Sequence, residues 1–307
     1  MFKDQLKLHF VVFLWGFTAI LGKLISIDAV ELVFYRTFLS AIGLAAVLVM
    51  SKKSNLLKMP PRAAGKLILT GSLVGLHWIT FFAASKLSVS VCLAGIATCS
   101  LFTAFLEPLF KKEKIKSYEV MLGLIVIGGL YVIFRFEFGH STALGIALIS
   151  SLLSATFSVM NSKFTKVYES SQITFYEMVG GCLVCILLLP AFKHYFPSED
   201  GVLLHIPGLE DMMYLIVLAG VCTVYAFYTC IHVLKKLTAF YVNLSINMEP
   251  VYGIILALIL GEFLPDFQEE QKMTSGFYLG TLMILSSVLL YPVIKKVQRL
   301  RAAKTAA

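Results

Sequence analysis

About ten apolar runs, each near twenty residues long, fill most of this 307-residue chain. Wound as an α-helix at about 1.5 Å per residue, such a run crosses the roughly 30 Å hydrocarbon core of a bilayer. In lipid every backbone N–H and C=O needs an internal partner, so apolar runs in series must be helices. The runs read as spans at 6–27, 30–50, 67–85, 88–110, 118–137, 142–164, 172–196, 211–233, 238–260 and 274–294. The expected fold class is an all-α integral membrane protein with ten transmembrane helices.

Charge supports this and gives a direction. Charged residues are 14% of the chain and hydrophobic ones 58%. Soluble domains carry about 25% charged residues, so a water-facing surface of ordinary size cannot be made here. The net charge of +8 lies in short loops, which argues against nucleic acid as a partner. With the N-terminus placed in the cytoplasm, twenty of the 26 Lys and Arg fall in cytoplasmic segments. Lys52, Lys53, Lys111, Lys112, Lys235 and Lys236 are examples. The outer loops are acidic, at 198–200, 210–211 and 266–270. The positive-inside rule then predicts a multi-pass protein of a bacterial-type cell (inner) membrane with both termini cytoplasmic. The first run passes Trp15 and Lys23 without a small-residue cleavage site and reads as a retained span.

The runs repeat. Phe34-Tyr35-Arg36 in run two matches Phe175-Tyr176-Glu177 in run seven, and Lys86-Leu87-Ser88 matches Lys236-Leu237-Thr238. Ser100 to Glu113 matches Glu249 to Glu262, and Gly123 and Gly280 fall at like places in runs five and ten. The chain divides into five-helix halves at 1–138 and 139–307. Five is odd, so the copies enter the membrane in opposite directions. Inverted repeats of this kind build two alternating faces around one midplane site.

These residues resemble the drug/metabolite transporter superfamily in its EamA-like branch. The family typically shows Trp-Gly early in span one, an Arg in span two, and a Pro-bearing helix that ends in Gly-Glu. Trp15-Gly16, Arg36 and the run from Glu249-Pro250 to Gly261-Glu262 match. The first half departs, with Leu101 where Pro is common and Lys112-Glu113 where Gly-Glu is common. The resemblance implies two five-span repeats around a central cavity and a solute carrier. It does not fix the substrate.

Polar groups at bilayer depth are costly, so each needs a partner or a wet cavity. Glu249 stands before Pro250, whose missing N–H frees a carbonyl one turn earlier. It reads as a site for a cationic part of a solute or for a proton, or as a hydrogen-bonded acid in the core. Arg36 could take an anionic group, but its place near one end of run two fits a snorkelling or structural pair better. His77 could relay protons or be a satisfied core residue. Trp15, Trp78, Tyr225, Tyr228 and Tyr252 are candidate cavity walls. Asn161, Asn243 and Asn247 join helices or line the cavity. Gly71 and Gly75 form a small-xxx-small pair in run three, and Glu107 reads as a salt-bridge partner of Lys111. Cys182 and Cys185 read as packing residues rather than metal or redox ligands.

Neither a Walker-type phosphate loop nor an H-E-x-x-H zinc motif occurs in the sequence. The reading is therefore a non-enzymatic secondary transporter, an exporter or exchanger of small polar metabolites such as amino acids. No cofactor or metal is expected. The partners are a small-molecule solute, the lipid bilayer and protons as a candidate coupling ion. The rival classes are a membrane-embedded enzyme acting on a lipid-linked substrate and a non-transporting membrane subunit.

Overall fold

The computed structural model describes residues 2–134, 141–197, 201–261 and 275–305. Glu262, the acidic stretches at 198–200 and 266–270, and the Lys23 side chain lie outside this description. Among the described residues every regular element is helical. The first half holds α1 (Phe2–Leu24), α2 (Ala29–Met50), α3 (Pro61–Leu87), α4 (Val89–Lys111) and α5 (Ser117–Phe134). The second holds α6 (Ser141–Phe164), α7 (Ser170–Tyr195), α8 (Leu209–Ala219), α9 (Ala226–Val233), α10 (Ala239–Ile246), α11 (Glu249–Gly261) and α12 (Ser275–Thr305).

Seven of the described helical stretches are long and apolar enough to cross a membrane, and Ser117–Ile133 is a shorter apolar helix. Two runs are interrupted. A π-helical segment, Gly220–Tyr225, joins α8 to α9. A turn at Asn247–Met248 separates α10 from α11. Several helices outrun their apolar stretches: α1 starts before residue 6, α3 before 67, and α12 runs past 294. Hydropathy marks the part of a helix that lipid covers, whereas the backbone goes on winding until a cap or proline stops it.

The two halves interlock. Helix α2 packs against α7 and α8, α3 against α6 and α7, α4 against α6, and α1 against α9, α10 and α11. Helix α5 packs against α12. The aligned motifs occupy matching places. Ser88 caps α4 by accepting from Val91 N at 3.4 Å, and Thr238 caps α10 by accepting from Tyr241 N at 3.2 Å. Tyr35 OH donates to His205 O at 2.7 Å, in the loop after α7. Its counterpart Tyr176 OH donates to Leu57 O at 2.8 Å, after α2. Each tyrosine holds the loop that follows the other half's helix, as an inverted repeat requires.

Close approach depends on glycine. A Cβ on Gly71 would lie 2.2 Å from Glu177 O, and one on Gly180 would lie 2.0 Å from Ile68 O. The small-xxx-small pair of α3 is thus the seat of α7. A Cβ on Gly280 would lie 2.3 Å from Gly129 O, so the glycine facing Gly280 is Gly129, while Gly123 faces Leu101.

Buried carboxylates tie the halves together at both ends. At the end formed by the loops at 25–28 and 201–208, Glu31 is 1% exposed. It accepts from His205 N at 3.0 Å and lies 3.3 Å from Lys193 Nζ, which also donates to Asp28 at 2.8 Å. Ser26 Oγ donates to Asp211 at 2.6 Å. At the opposite end Glu107 pairs with Lys111 as its spacing suggests. It also accepts from Phe240 N at 2.7 Å and Ala239 N at 3.3 Å, satisfying amides at the start of α10. An anion there also suits the helix dipole.

Candidate functional site

The centre of the bundle holds a cavity of about 80 Å3. Its walls come from both halves: α1, α2, α3 and α4 from the first, and α6, α9, α10 and the start of α11 from the second. Glu249, Arg36, Trp15, His77, Trp78, Asn161, Asn243 and Asn247 all line it. The other three aromatic candidates stand elsewhere. Tyr225 is 48% exposed, against the edge of Phe10. Tyr228 stacks on His232. Tyr252 packs on Phe13 with its hydroxyl 3.3 Å from His9 Nδ1.

Arg36, in the second turn of α2, is buried at 2% exposure. Its Cζ lies 3.8 Å from the centre of the Trp78 ring, a cation–π contact, and Nε donates to Thr223 Oγ1 at 2.8 Å. Thr223 belongs to the π-helical segment and donates in turn to Leu218 O at 2.9 Å. The same segment takes Trp15, whose Nε1 donates to Cys222 O at 2.9 Å. A π-helical turn shifts the backbone register and exposes groups that an α-helix would use internally. Two residues from the first half bond there, and both line the cavity. Arg36 Nη1 is buried without a partner.

Asn247 and Glu249 flank the break in the ninth run. Pro250 sits in the first turn of α11, where its missing N–H costs nothing. The free N-terminus of α11 and the Glu249 carboxyl therefore meet beside the cavity. Asn247 Nδ2 is buried without a partner, as is Thr18 Oγ1 in the facing wall. The counterpart of Glu249 in the first half, Ser100, lies within the unbroken α4 and donates to Ala97 O at 3.1 Å. The site is therefore asymmetric although the scaffold is repeated.

Helix α6 supplies a small polar stripe. Ser158 Oγ donates to Asn243 Oδ1 at 3.2 Å, and Asn243 Nδ2 donates to Thr103 Oγ1 at 2.8 Å. Asn161 Nδ2 donates to Glu177 Oε2 at 3.2 Å. Glu177, the repeat partner of Arg36, is fully buried, and its Oε1 and Asn161 Oδ1 both lack partners. His77 Nδ1 lies 3.0 Å from Ser150 O and 2.8 Å from Ser150 Oγ, while that hydroxyl donates to His77 O at 2.8 Å. The carbonyl can only accept, so the network assigns the ring proton to Nδ1 and leaves Nε2 as the acceptor. Thr18, Cys99, Ser154 and Ser158 line the cavity without having been singled out from the sequence. Small hydroxyls and thiols at depth look the same whether they pack helices or face a cavity.

A cation on an aromatic face, a carboxyl at a helix break, and buried amides with one unspent donor on Asn247 and one unspent acceptor on Asn161 form a site that can hold a small polar molecule. Among the described residues no group of three or more His, Cys, Asp or Glu is placed to hold a metal ion.

Comparison with known proteins agrees on the architecture. The family model of the EamA-like transporter family matches this chain twice, over residues 6–135 and 141–293. No curated protein matches. A solved crystal structure superposes with a TM-score of 0.76 at 13% identity, covering 95% of this chain and 98% of the other. At that identity the likeness concerns the fold.

Proposed function

The chain belongs to the EamA-like transporter family, and from that premise we propose that it is a secondary transporter of small polar metabolites, such as amino acids or related compounds. It works as an exporter or exchanger by alternating access. Ten spans, grouped as halves 1–138 and 139–307, lie in a bacterial-type inner membrane with both termini in the cytoplasm. The charge bias of the loops supports this orientation. The observation that carries the reading is the central cavity, where Arg36 Nη1 and Asn247 Nδ2 are buried without partners beside Glu249. A buried donor left unsatisfied costs about 1–3 kcal/mol, more when charged. A polar solute recovers that energy by accepting from both.

In this reading Arg36 takes an anionic group of the solute. Glu249 takes a cationic group or a proton, and Trp15, Trp78 and Phe157 form the walls. The cavity, at about 80 Å3, is smaller than the roughly 300–1,000 Å3 of most small-molecule sites. Solute entry therefore requires the halves to separate at one end, breaking either the Glu31–Lys193–His205 cluster or the Glu107–α10 contact. Protons are the candidate coupling ion. The test is counterflow of a panel of labelled metabolites in proteoliposomes, with Glu249→Gln measured beside the wild type. We expect flux of at least one solute, reduced tenfold or more by the substitution. Flux untouched across all transported solutes removes Glu249 from the mechanism, and no flux of any solute overturns the assignment.

A further inference from the structure

Glu177 is 0% exposed, and α7, which carries it, packs against α2, α3 and α9. Helix α3 presses directly on it, since a Cβ on Gly71 would lie 2.2 Å from Glu177 O. Its helical neighbours Ile173, Thr174, Gly180 and Gly181 are uncharged, and Tyr176 turns away to Leu57 O. The charged and titratable groups of the surrounding helices are engaged elsewhere. On α2, Arg36 is held by Thr223 and Trp78, while Glu31 and Tyr35 both bond His205 at one end of the bundle. On α3, Lys66 and His77 stand more than one turn from Gly71, and His77 bonds Ser150. On α6, Lys163 Nζ donates to Phe110 O at 2.7 Å. On α9, His232 stacks on Tyr228, and the thiol of Cys230, close to Glu177, brings no positive charge. Among the described residues no ion pair includes Glu177.

Asn161 Nδ2 donates to Glu177 Oε2 at 3.2 Å. That leaves Glu177 Oε1 and Asn161 Oδ1, both buried and both without a partner. A carboxylate oxygen and an amide oxygen only accept, so neither can satisfy the other. Turning the amide over does not help, because its oxygen would then face a carboxylate oxygen. One hydrogen on the carboxyl satisfies both atoms: Oε1 becomes a donor and Asn161 Oδ1 its acceptor. An ion here would lie buried with one hydrogen bond and no counter-charge, the costly arrangement for a carboxylate. We propose that Glu177 binds a proton on Oε1 and donates a hydrogen bond to Asn161 Oδ1, making the acid–amide pair a proton-binding site one layer behind the central cavity. Asn161 is among the residues that line that cavity and Glu177 is not. A solute therefore meets the amide, and a proton reaches the acid behind it. When the halves part and water fills the cavity, the proton passes from Oε1 to that water and leaves Glu177 as a hydrated anion. Closing again requires its return. The use of this site for coupling rests on the transport reading, and it leaves Glu249 for a cationic group of the solute.

The experiment compares the full chain with Glu177→Gln, in which an amide N–H stands where the acid O–H would. Thermal unfolding of both is followed as the pH rises from about 5 to about 7. The folded form keeps the proton and the unfolded form releases it. The folded-to-unfolded ratio of the wild type should therefore fall, relative to the variant, by about tenfold per pH unit. An ionised Glu177 gives a gap between the two proteins that does not change with pH, and that result overturns the proposal. A variant too unstable to purify also counts against it, because the amide should take the acid's place. Infrared spectra of protein labelled with carbon-13 glutamate give a second readout at neutral pH. A protonated-carboxyl band should persist in Glu249→Gln and Glu119→Gln and be lost in Glu177→Gln. Carboxylate bands alone in the wild type overturn the proposal whatever the variants do. Adding a transported solute to weakly buffered protein should make the wild type exchange a proton with the medium, and Glu177→Gln should not. No exchange in the wild type, or equal exchange in the variant, removes the coupling role. A wild type that carries no solute strikes the transport reading alone, and the melting and infrared results still decide the proton site.

Discussion

Thr223→Val tests whether the π-helical segment anchors Arg36. The substitution keeps the shape of the side chain and removes its hydroxyl. Two hydrogen bonds vanish, Arg36 Nε to Thr223 Oγ1 at 2.8 Å and Thr223 Oγ1 to Leu218 O at 2.9 Å. The second is a local back-bond of small net value. The first involves a charged donor that is fully enclosed, worth about 1.5–3 kcal/mol, or about 10- to 150-fold in the folded-to-unfolded ratio. At about 2 °C per kcal/mol for a chain of this size, the midpoint should fall by about 3–6 °C. Circular dichroism of the purified protein on heating measures it. Thr156→Val is the control, since that hydroxyl only back-bonds to Leu152 O at 2.7 Å, and it should change stability by less than about 0.5 kcal/mol. Repeating Thr223→Val in an Arg36→Met background isolates the pair, and there the loss should shrink to the level of the control. If Thr223→Val melts with the wild type, or loses as much without Arg36, the anchoring argument is wrong.

Two further substitutions probe the backbone. Gly180→Ala places a methyl 2.0 Å from the carbonyl of Ile68, so α3 and α7 must part at a cost of about 1–3 kcal/mol or more. Gly65→Ala, with nothing within 4 Å, should gain up to about 1 kcal/mol from helix propensity; thermal melts that rank the two equally refute the close-packing account. Lys112 ends α4 at φ +56°, a left-handed conformation that suits glycine. Lys112→Gly should raise the midpoint by about 1–2 °C, a net gain below about 1 kcal/mol once the entropy of glycine is deducted, and Lys112→Ala should not.

Sequence and structure agree where the physics is one-dimensional. Apolar run length located the helices, and Pro250 located the break beside Glu249. The matched Lys-Leu-Ser and Lys-Leu-Thr motifs proved to be N-caps at equivalent places. The left-handed cap at Lys112 also explains why a glycine suits that position in the family pattern. Direction around each helix was harder to read. A span bathed in lipid is apolar on every side, so its hydrophobic pattern does not tell the cavity face from the lipid face. For that reason the sequence does not separate Tyr225 and Tyr228 from Trp78, which alone of the three lines the central cavity. The π-helical segment left no mark, because Gly220-Val221-Cys222-Thr223 reads as an unbroken apolar stretch. Position along α2 puts Arg36 near a helix end and does not tell whether its side chain is covered. Its burial comes from Trp78 and Thr223, which stand on elements distant in the chain.

The reciprocal grip of Tyr35 and Tyr176 bears on how such a molecule could have arisen. Neither five-helix unit contains the loop that its own tyrosine fastens. A unit standing alone would leave that hydroxyl idle and the loop untethered, and only a second copy lying head to toe would fill both vacancies together. With both copies in one polypeptide their stoichiometry is fixed. The two copies also need not match, and here one holds a serine inside a straight rod while the other holds an acid beside a fracture.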